Sequence, residues 1–246
     1  MWRLGLIGHP VAQSFSPQYF KAKFEALGLS DWDYQAFDLP HIDDFVSWWQ
    51  SQTGLVAVNV TIPHKQTVLA YCQNLSDDVK AIGAANLIIQ SEQDPFSFNA
   101  YNTDHSGFSK ALKETWDYTF QKALILGSGG SSKAIQYALT QLNIPFEIGS
   151  RSTLGEHYQK LSLKAYDLII NCTPYGLPSQ WEALPLPYDE LGPQQHFFDL
   201  NYHGITPSML KCLDHGAQAC NGLSMLQHQA DYAWELIKAK RSNCFQ

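Results

Sequence analysis

Ala123-Leu124-Ile125-Leu126-Gly127-Ser128-Gly129-Gly130-Ser131-Ser132-Lys133-Ala134 is an apolar run, a glycine loop and the opening of a helical segment. The four apolar residues read as a short buried strand. Gly127 allows the tight turn that leaves it. Gly129 lets the backbone approach a pyrophosphate, whose charge sits well at a helix N-terminus. Gly130 and Ser131 complete the candidate contacts. The third small position of G-x-G-x-x-G is Ser132 rather than glycine. Alone, such a loop also reads as an ordinary βα turn with a serine cap. The context favours a dinucleotide: a strand before it, a helix after it, and a second strand, Phe146–Gly149, ending about 20 residues on. That second strand leads into Ser150-Arg151-Ser152. An NAD site carries an acidic residue at this tip to hold the ribose 2′-hydroxyl, whereas an arginine fork matches a 2′-phosphate. Glu147 lies at the wrong end of the strand. Arg151 and Ser152, with Lys133 as a second positive contact, therefore point to NADP.

Outward from this loop, strand-like and helix-like segments alternate on both sides. Before it come strands at Arg3–Ile7, Tyr34–Leu39 and Leu55–Thr61, and helices at Pro17–Leu27, Ile42–Gln50 and through Leu69 and Tyr71. A strand pair, Ala85–Ile89 and Ser97–Tyr101, flanks the polar turn at Ser91–Pro95, and a helix follows over Gly107–Glu114. After the loop come a helix from Ser132 to Leu142, strands at Asp167–Asn171 and Phe197–Asn201, and a helix over Met225–Ala239. Alternating βα units imply mostly parallel sheets covered by helices. The two series, separated near Asp104–Gly107, imply two α/β domains.

Composition narrows the function class. The 246 residues are 45% hydrophobic and 16% charged, enough for sizeable cores. A formal net charge of -7 argues against a nucleic-acid or anionic-membrane partner, which would need a basic face. No run reaches the roughly 18 apolar residues of a membrane span, and Met1–Gly8 reads as a first strand, not a signal peptide. Five cysteines, an odd number with no C-x-x-C pair and no zinc spacing, suit a reduced cytoplasmic protein without a metal. Within this acidic chain Lys65 stands out. It follows the apolar strand in Asn59-Val60-Thr61-Ile62-Pro63-His64-Lys65, and Pro63 stops that strand. An amine and the Thr61 hydroxyl thereby reach the rim where open α/β sheets meet ligands.

Several separated motifs resemble the shikimate dehydrogenase family. They are Gly8-His9-Pro10-Val11-Ala12-Gln13-Ser14-Phe15-Ser16-Pro17, Asn59–Lys65, Gly83-Ala84-Ala85-Asn86, Asn102-Thr103-Asp104, the glycine loop, Asn171-Cys172-Thr173-Pro174, Asp199-Leu200-Asn201-Tyr202 and Gly222-Leu223-Ser224-Met225-Leu226-Gln227-His228-Gln229. They cover almost the whole chain in family order. The resemblance implies an α/β substrate domain, residues 1–104 plus 222–246, and a Rossmann-type NADP domain, residues 105–221, with the active site in the cleft between them. It implies that Lys65 and Asp104 are the catalytic pair, with Ser14, Ser16, Thr61, Asn86, Tyr202 and Gln229 on shikimate or 3-dehydroshikimate. Thr173 and Gly222 join the cofactor contacts. The implied state is a monomer or homodimer.

The residue types suit that chemistry. Oxidising a secondary alcohol needs a base for the hydroxyl proton while hydride leaves carbon. A polyol carboxylate needs many neutral donors and acceptors, which the Ser, Thr, Asn, Tyr and Gln side chains supply. Other readings stay open. Ser16 before Pro17 is a good helix cap, whereas Ser14 has no such structural need. Asn102-Thr103-Asp104 also reads as a turn with a capping aspartate. A quinate-active, NAD-using paralogue and a non-catalytic ligand sensor are the competing functions. The chain departs from the family pattern at Ala100-Tyr101, at Lys133, where arginine is usual, and at Ser150-Arg151-Ser152, and Leu154–Lys164 reads as a shortened loop.

Overall fold

The computed structural model describes residues 1–150, 158 and 161–241. Arg151 and Ser152 lie outside the described residues. Two compact units form: Met1–Thr103 with the chain from Gln229 onward, and Asp104–His228. Among the described residues no helix is long and apolar enough to cross a membrane.

The first unit is built on β1 (Trp2–Gly8), β2 (Trp32–Asp38), β3 (Leu55–Val60), β4 (Asn74–Leu75), β5 (Leu87–Gln90) and β6 (Phe98–Tyr101), in the spatial order β2-β1-β3-β5-β6-β4. β1 runs parallel to β2 and β3, whereas β5 is antiparallel to β3 and β6. The β5–β6 pair follows from the short Ser91–Ser97 turn, since a hairpin connection yields antiparallel strands and a parallel pair needs a crossover. β3 is buried along its whole length, as its Leu-Val-Ala-Val start demands. Strand periodicity then divides the core. On one face, Leu4, Leu6 and Val56 pack with Phe20 and Phe24 of α1 (Ser16–Ala26) and Trp234 near the C-terminus. On the other, Ile7, Val58 and Val60 pack with Phe45 and Trp49 of α2 (Phe45–Gln50) and Val79 of α3 (Asp77–Ile82).

The second unit opens with α4 (Asp104–Thr115) and carries a five-stranded sheet. Its strands are β7 (Ala123–Leu126), β8 (Phe146–Gly149), β9 (Leu168–Asn171), β10 (His196–Asp199) and β11 (Gln218–Asn221), ordered β11-β10-β9-β7-β8 and all parallel. α5 (Gly130–Gln141) and α6 (Pro207–Asp214) connect strands, and α7 (Leu223–Lys240) closes the described chain. α7 gives Met225 to the core of the second unit and Ala230, Ala233, Trp234 and Ile237 to that of the first.

Short elements escaped the sequence pattern. The helix expected through Leu69 and Tyr71 is a single 3₁₀ segment, Thr67–Tyr71. β4 and α3 are too short to show a period. β11 has one exposed and three half-buried positions and no apolar run to read. α6 did carry a signal: Thr206 caps it through the Met209 N–H at 3.3 Å, with Pro207 at its first position.

Candidate functional site

In the first unit β1 has β2 on one side and β3 on the other, so the chain order reverses between β1 and β3. Ligands of open α/β sheets bind outside the carboxyl ends of strands at such a point. The segment after β1 carries Ser14 and Ser16, and the turn after β3 carries Thr61 and Lys65. The two segments approach closely at Gly8, where an added Cβ would lie 2.4 Å from Thr61 Cγ2, so glycine is required. Because β5 runs backwards, its start reaches the same rim. The Asn86 carbonyl accepts the Val60 N–H at 2.8 Å, and the Asn86 N–H donates to Tyr101 at the end of β6. Strand reversal thus brings Asn86 beside residues some 26 positions earlier in the chain, which is what makes a polar residue before a strand useful here.

These groups form a buried neutral network. Asn86 Nδ2 donates to Thr103 Oγ1 at 2.9 Å and to Gln229 Oε1 at 3.1 Å, while Asn86 Oδ1 accepts the Thr103 N–H at 2.7 Å. Asn102 Nδ2 donates to the Ala84 carbonyl at 2.9 Å. Ser16 is buried, but its hydroxyl does not cap α1. Instead Ser14 Oγ accepts the Ser16 N–H at 3.3 Å, so the structural task expected of Ser16 falls to Ser14. Lys65 is half-buried, and its carbonyl accepts the Ala85 N–H at 2.8 Å.

The second unit repeats the arrangement. Its strand order reverses between β7 and β9, which places the glycine loop and the Cys172–Pro174 turn side by side. Gly127 has φ +106°, and an added Cβ would lie 3.0 Å from the Cys172 carbonyl oxygen, so only glycine fits. At Gly129 an added Cβ would meet nothing within 4 Å, so the protein leaves open space there. Gly130 is the first residue of α5, followed by Ser131. Ser132, fully buried, donates from Oγ to the Gly127 carbonyl at 2.8 Å, which explains how serine replaces the third glycine of the loop. Lys133 lies half-buried on the first turn of α5. The loop thus fits a dinucleotide: an open approach at Gly129 and a helix N-terminus behind it. Glu147 is engaged elsewhere, pairing with Lys122 at 2.6 Å and Tyr166 at 2.5 Å, and the Lys122 contact lowers its pKa.

Thr173 and Tyr202 sit on loops tied to one buried carboxylate. Asp199, at the end of β10, accepts Asn171 Nδ2 at 2.9 Å, Asn201 Nδ2 at 2.9 Å, the Asn201 N–H at 3.1 Å and Thr206 Oγ1 at 2.6 Å. Burial raises its pKa to about 6 against the opposing pull of those donors. Asn171 Oδ1 in turn accepts both the N–H and the hydroxyl of Thr173. Tyr202 packs its ring on His203, with centroids 4.3 Å apart. Gly222 is another obligatory glycine, since a Cβ would lie 2.3 Å from the Leu200 carbonyl oxygen. Asp104 opens α4 and is 5% exposed. An acidic residue suits that helix end.

Comparison with known proteins agrees with both halves. A family model described as the shikimate dehydrogenase substrate binding domain matches residues 6–88. A protein named shikimate dehydrogenase (NADP(+)) from Methanococcus maripaludis strain C6 is 30% identical over 264 residues, covering 98% of this chain and 93% of the relative. The chain belongs to the shikimate dehydrogenase family. A namesake from Clostridium botulinum strain Hall is 34% identical over 252 residues, covering 94% of each chain. Among solved structures, shikimate 5-dehydrogenase from Thermus thermophilus in complex with NADP(H) and shikimate has a TM-score of 0.83 and 29% identity, covering 97% of this chain and 94% of that one. As a shikimate dehydrogenase family member, the chain carries polar residues the motifs did not assign: Tyr34, Asn59, Thr103, Asn171 and Asp199. Asn59 had a visible signal, an amide inside an otherwise apolar buried strand. Tyr34 had none, because aromatic residues are ordinary in strands.

Proposed function

We propose that this chain interconverts shikimate and 3-dehydroshikimate with NADP, and that the substrate is held by Ser14, Ser16, Thr61, Asn86, Tyr202 and Gln229. The observation that carries the reading is the Asn86 cluster. Buried neutral donors and acceptors at a sheet's switch point suit a small polyol and discriminate against analogues that lack a hydroxyl. Lys65 receives the hydroxyl proton as an amine, and Asp104 hydrogen-bonds the reacting hydroxyl. In the reverse direction Lys65 returns the proton. Gly127, Gly129, Gly130, Ser131, Lys133, Thr173 and Gly222, with Arg151 and Ser152, hold the cofactor. Bound NADP supplies the acceptor for the hydride that leaves the ring carbon. The test is initial-rate absorbance at about 340 nm, the band of the reduced nicotinamide, with shikimate and NADP, beside quinate and NAD. NADPH formation with shikimate supports the reading. Turnover confined to quinate or NAD, or ligand binding without turnover, would replace it.

A further inference from the structure

Behind Asn86 lies a tyrosine that no motif marks. Tyr34, in β2, is fully buried and stacks face to face on Phe20 of α1, with ring centroids 4.5 Å apart and planes 5° apart. That stack holds the ring, and so fixes where its hydroxyl points. The hydroxyl donates to Asn59 Oδ1 at 2.9 Å. Asn59 Nδ2 donates in turn to the Asn86 carbonyl at 3.3 Å, which settles the orientation of the Asn59 amide. Tyr34's only proton is therefore committed to Asn59. The chain of contacts runs from Phe20 of α1 through β2 and β3 to the residue before β5. All of it lies within the first unit, and every member is buried.

We propose that Tyr34 and Asn59 are positioning residues that hold Asn86 in register with α1 and so determine shikimate affinity, a proposal that rests on Asn86 contacting substrate. Neutral groups in a dry interior hold geometry well, because each unmade bond leaves a polar atom without water. Tyr34→Phe removes one oxygen and keeps the ring stack. It leaves Asn59 Oδ1 without its donor, and the Asn59 amide is then free to turn away from Asn86.

The experiment is steady-state kinetics on Tyr34→Phe, with NADP affinity measured by fluorescence titration and folding by thermal melting. The expected result is a rise of about tenfold in the KM for shikimate, with NADP affinity within about twofold of wild type. Asn59→Ala cuts the same link from β3 and is expected to give the same split. In the Asn86→Ala background the Tyr34→Phe increment should shrink below about threefold, since interacting residues are non-additive. A lowered melting temperature with an unchanged KM for shikimate overturns the proposal, as does an equal loss of shikimate and NADP affinity. Asn86→Ala separates the two claims. If it raises the KM and Tyr34→Phe does not, the relay alone fails. If it does not raise the KM, the substrate assignment fails and the relay falls with it.

Discussion

Two polar clusters occupy equivalent places in the two units, each at the carboxyl rim of a sheet beside a reversal of strand order, and they differ in charge. The cluster around Asn86 is neutral, built from amides and hydroxyls. The cluster around Asp199 centres on a carboxylate that four hydrogen bonds hold in a nearly solvent-free site. Both satisfy their members. The neutral one is indifferent to pH. The charged one binds its surrounding loops more tightly, since bonds to an ionised acceptor are about twice as strong, but it carries the cost of burying a charge.

Lys65 carries the largest expected effect. If proton transfer belongs to Lys65, then Lys65→Ala lowers kcat by about 10²–10⁴-fold while shikimate and NADP still bind. Single-turnover rates beside equilibrium titration would show this. A loss below tenfold would shift the chemistry onto another group.

Breaking the charged cluster comes next. Asp199→Ala strands the side chains of Asn171, Asn201 and Thr206 in the interior, and a loss of about 2–4 kcal/mol in folding stability follows. Urea unfolding measures it. Thr173 and Tyr202 lose their anchorage together, so NADP and shikimate affinities should both fall, unlike the one-sided effect expected of Tyr34→Phe.

Asp199→Asn sharpens the difference in charge. The folded-state pKa of about 6 lies above the unfolded value of 3.8, so the folded protein binds this proton more readily. The stabilising contribution is complete below about pH 4 and is lost as pH rises through 6. Wild type should therefore lose stability relative to Asp199→Asn between pH 4 and 7, by at most about 3 kcal/mol, the free-energy equivalent of the gap between the folded and unfolded values. Cys212, Cys220 and Tyr188 face the same carboxylate, and burial holds both thiols up at about 12, so none titrates in this window. A stability difference independent of pH would show that Asp199 is not buried as charge. The corresponding neutral-side variant, Tyr34→Phe, should show no pH-dependent difference over this range.

The smallest effect on stability separates two glycines of one loop. Gly129→Ala should leave stability within about 0.5 kcal/mol, because its Cβ meets only open space and its φ of -76° is ordinary. NADP affinity should still drop if the pyrophosphate passes there. Gly127→Ala, at positive φ and against the Cys172 carbonyl, should instead cost about 1–3 kcal/mol with or without cofactor. Melting curves with and without NADP distinguish the two.

Much of the architecture is legible in the sequence. The strand-loop-helix of Ala123–Ala134, the hairpin around Ser91–Pro95 and the stop at Pro63 are local patterns with local causes. Motif residues such as Asn86 and Gln229 were legible as candidates but not as partners. They are 143 positions apart, and only the packing of α7 on the first unit's sheet brings them within 3.1 Å. Ser14 and Ser16 were read with their structural tasks exchanged, because which of two nearby hydroxyls turns to a backbone N–H depends on what else each can reach.

From sequence alone came the two α/β units, the tight-turn glycine Gly127, the dinucleotide loop and the roster of polar groups, since backbone sterics and hydrophobic periodicity act over a few residues. Tertiary structure alone decided that β5 runs antiparallel and returns Asn86 to the rim, and that Tyr34 and Asn59 link α1 to it. It also decided that Asp199 is a buried hub. These depend on which distant segments share a dry interior, where a polar atom must find its partner or destabilise the fold.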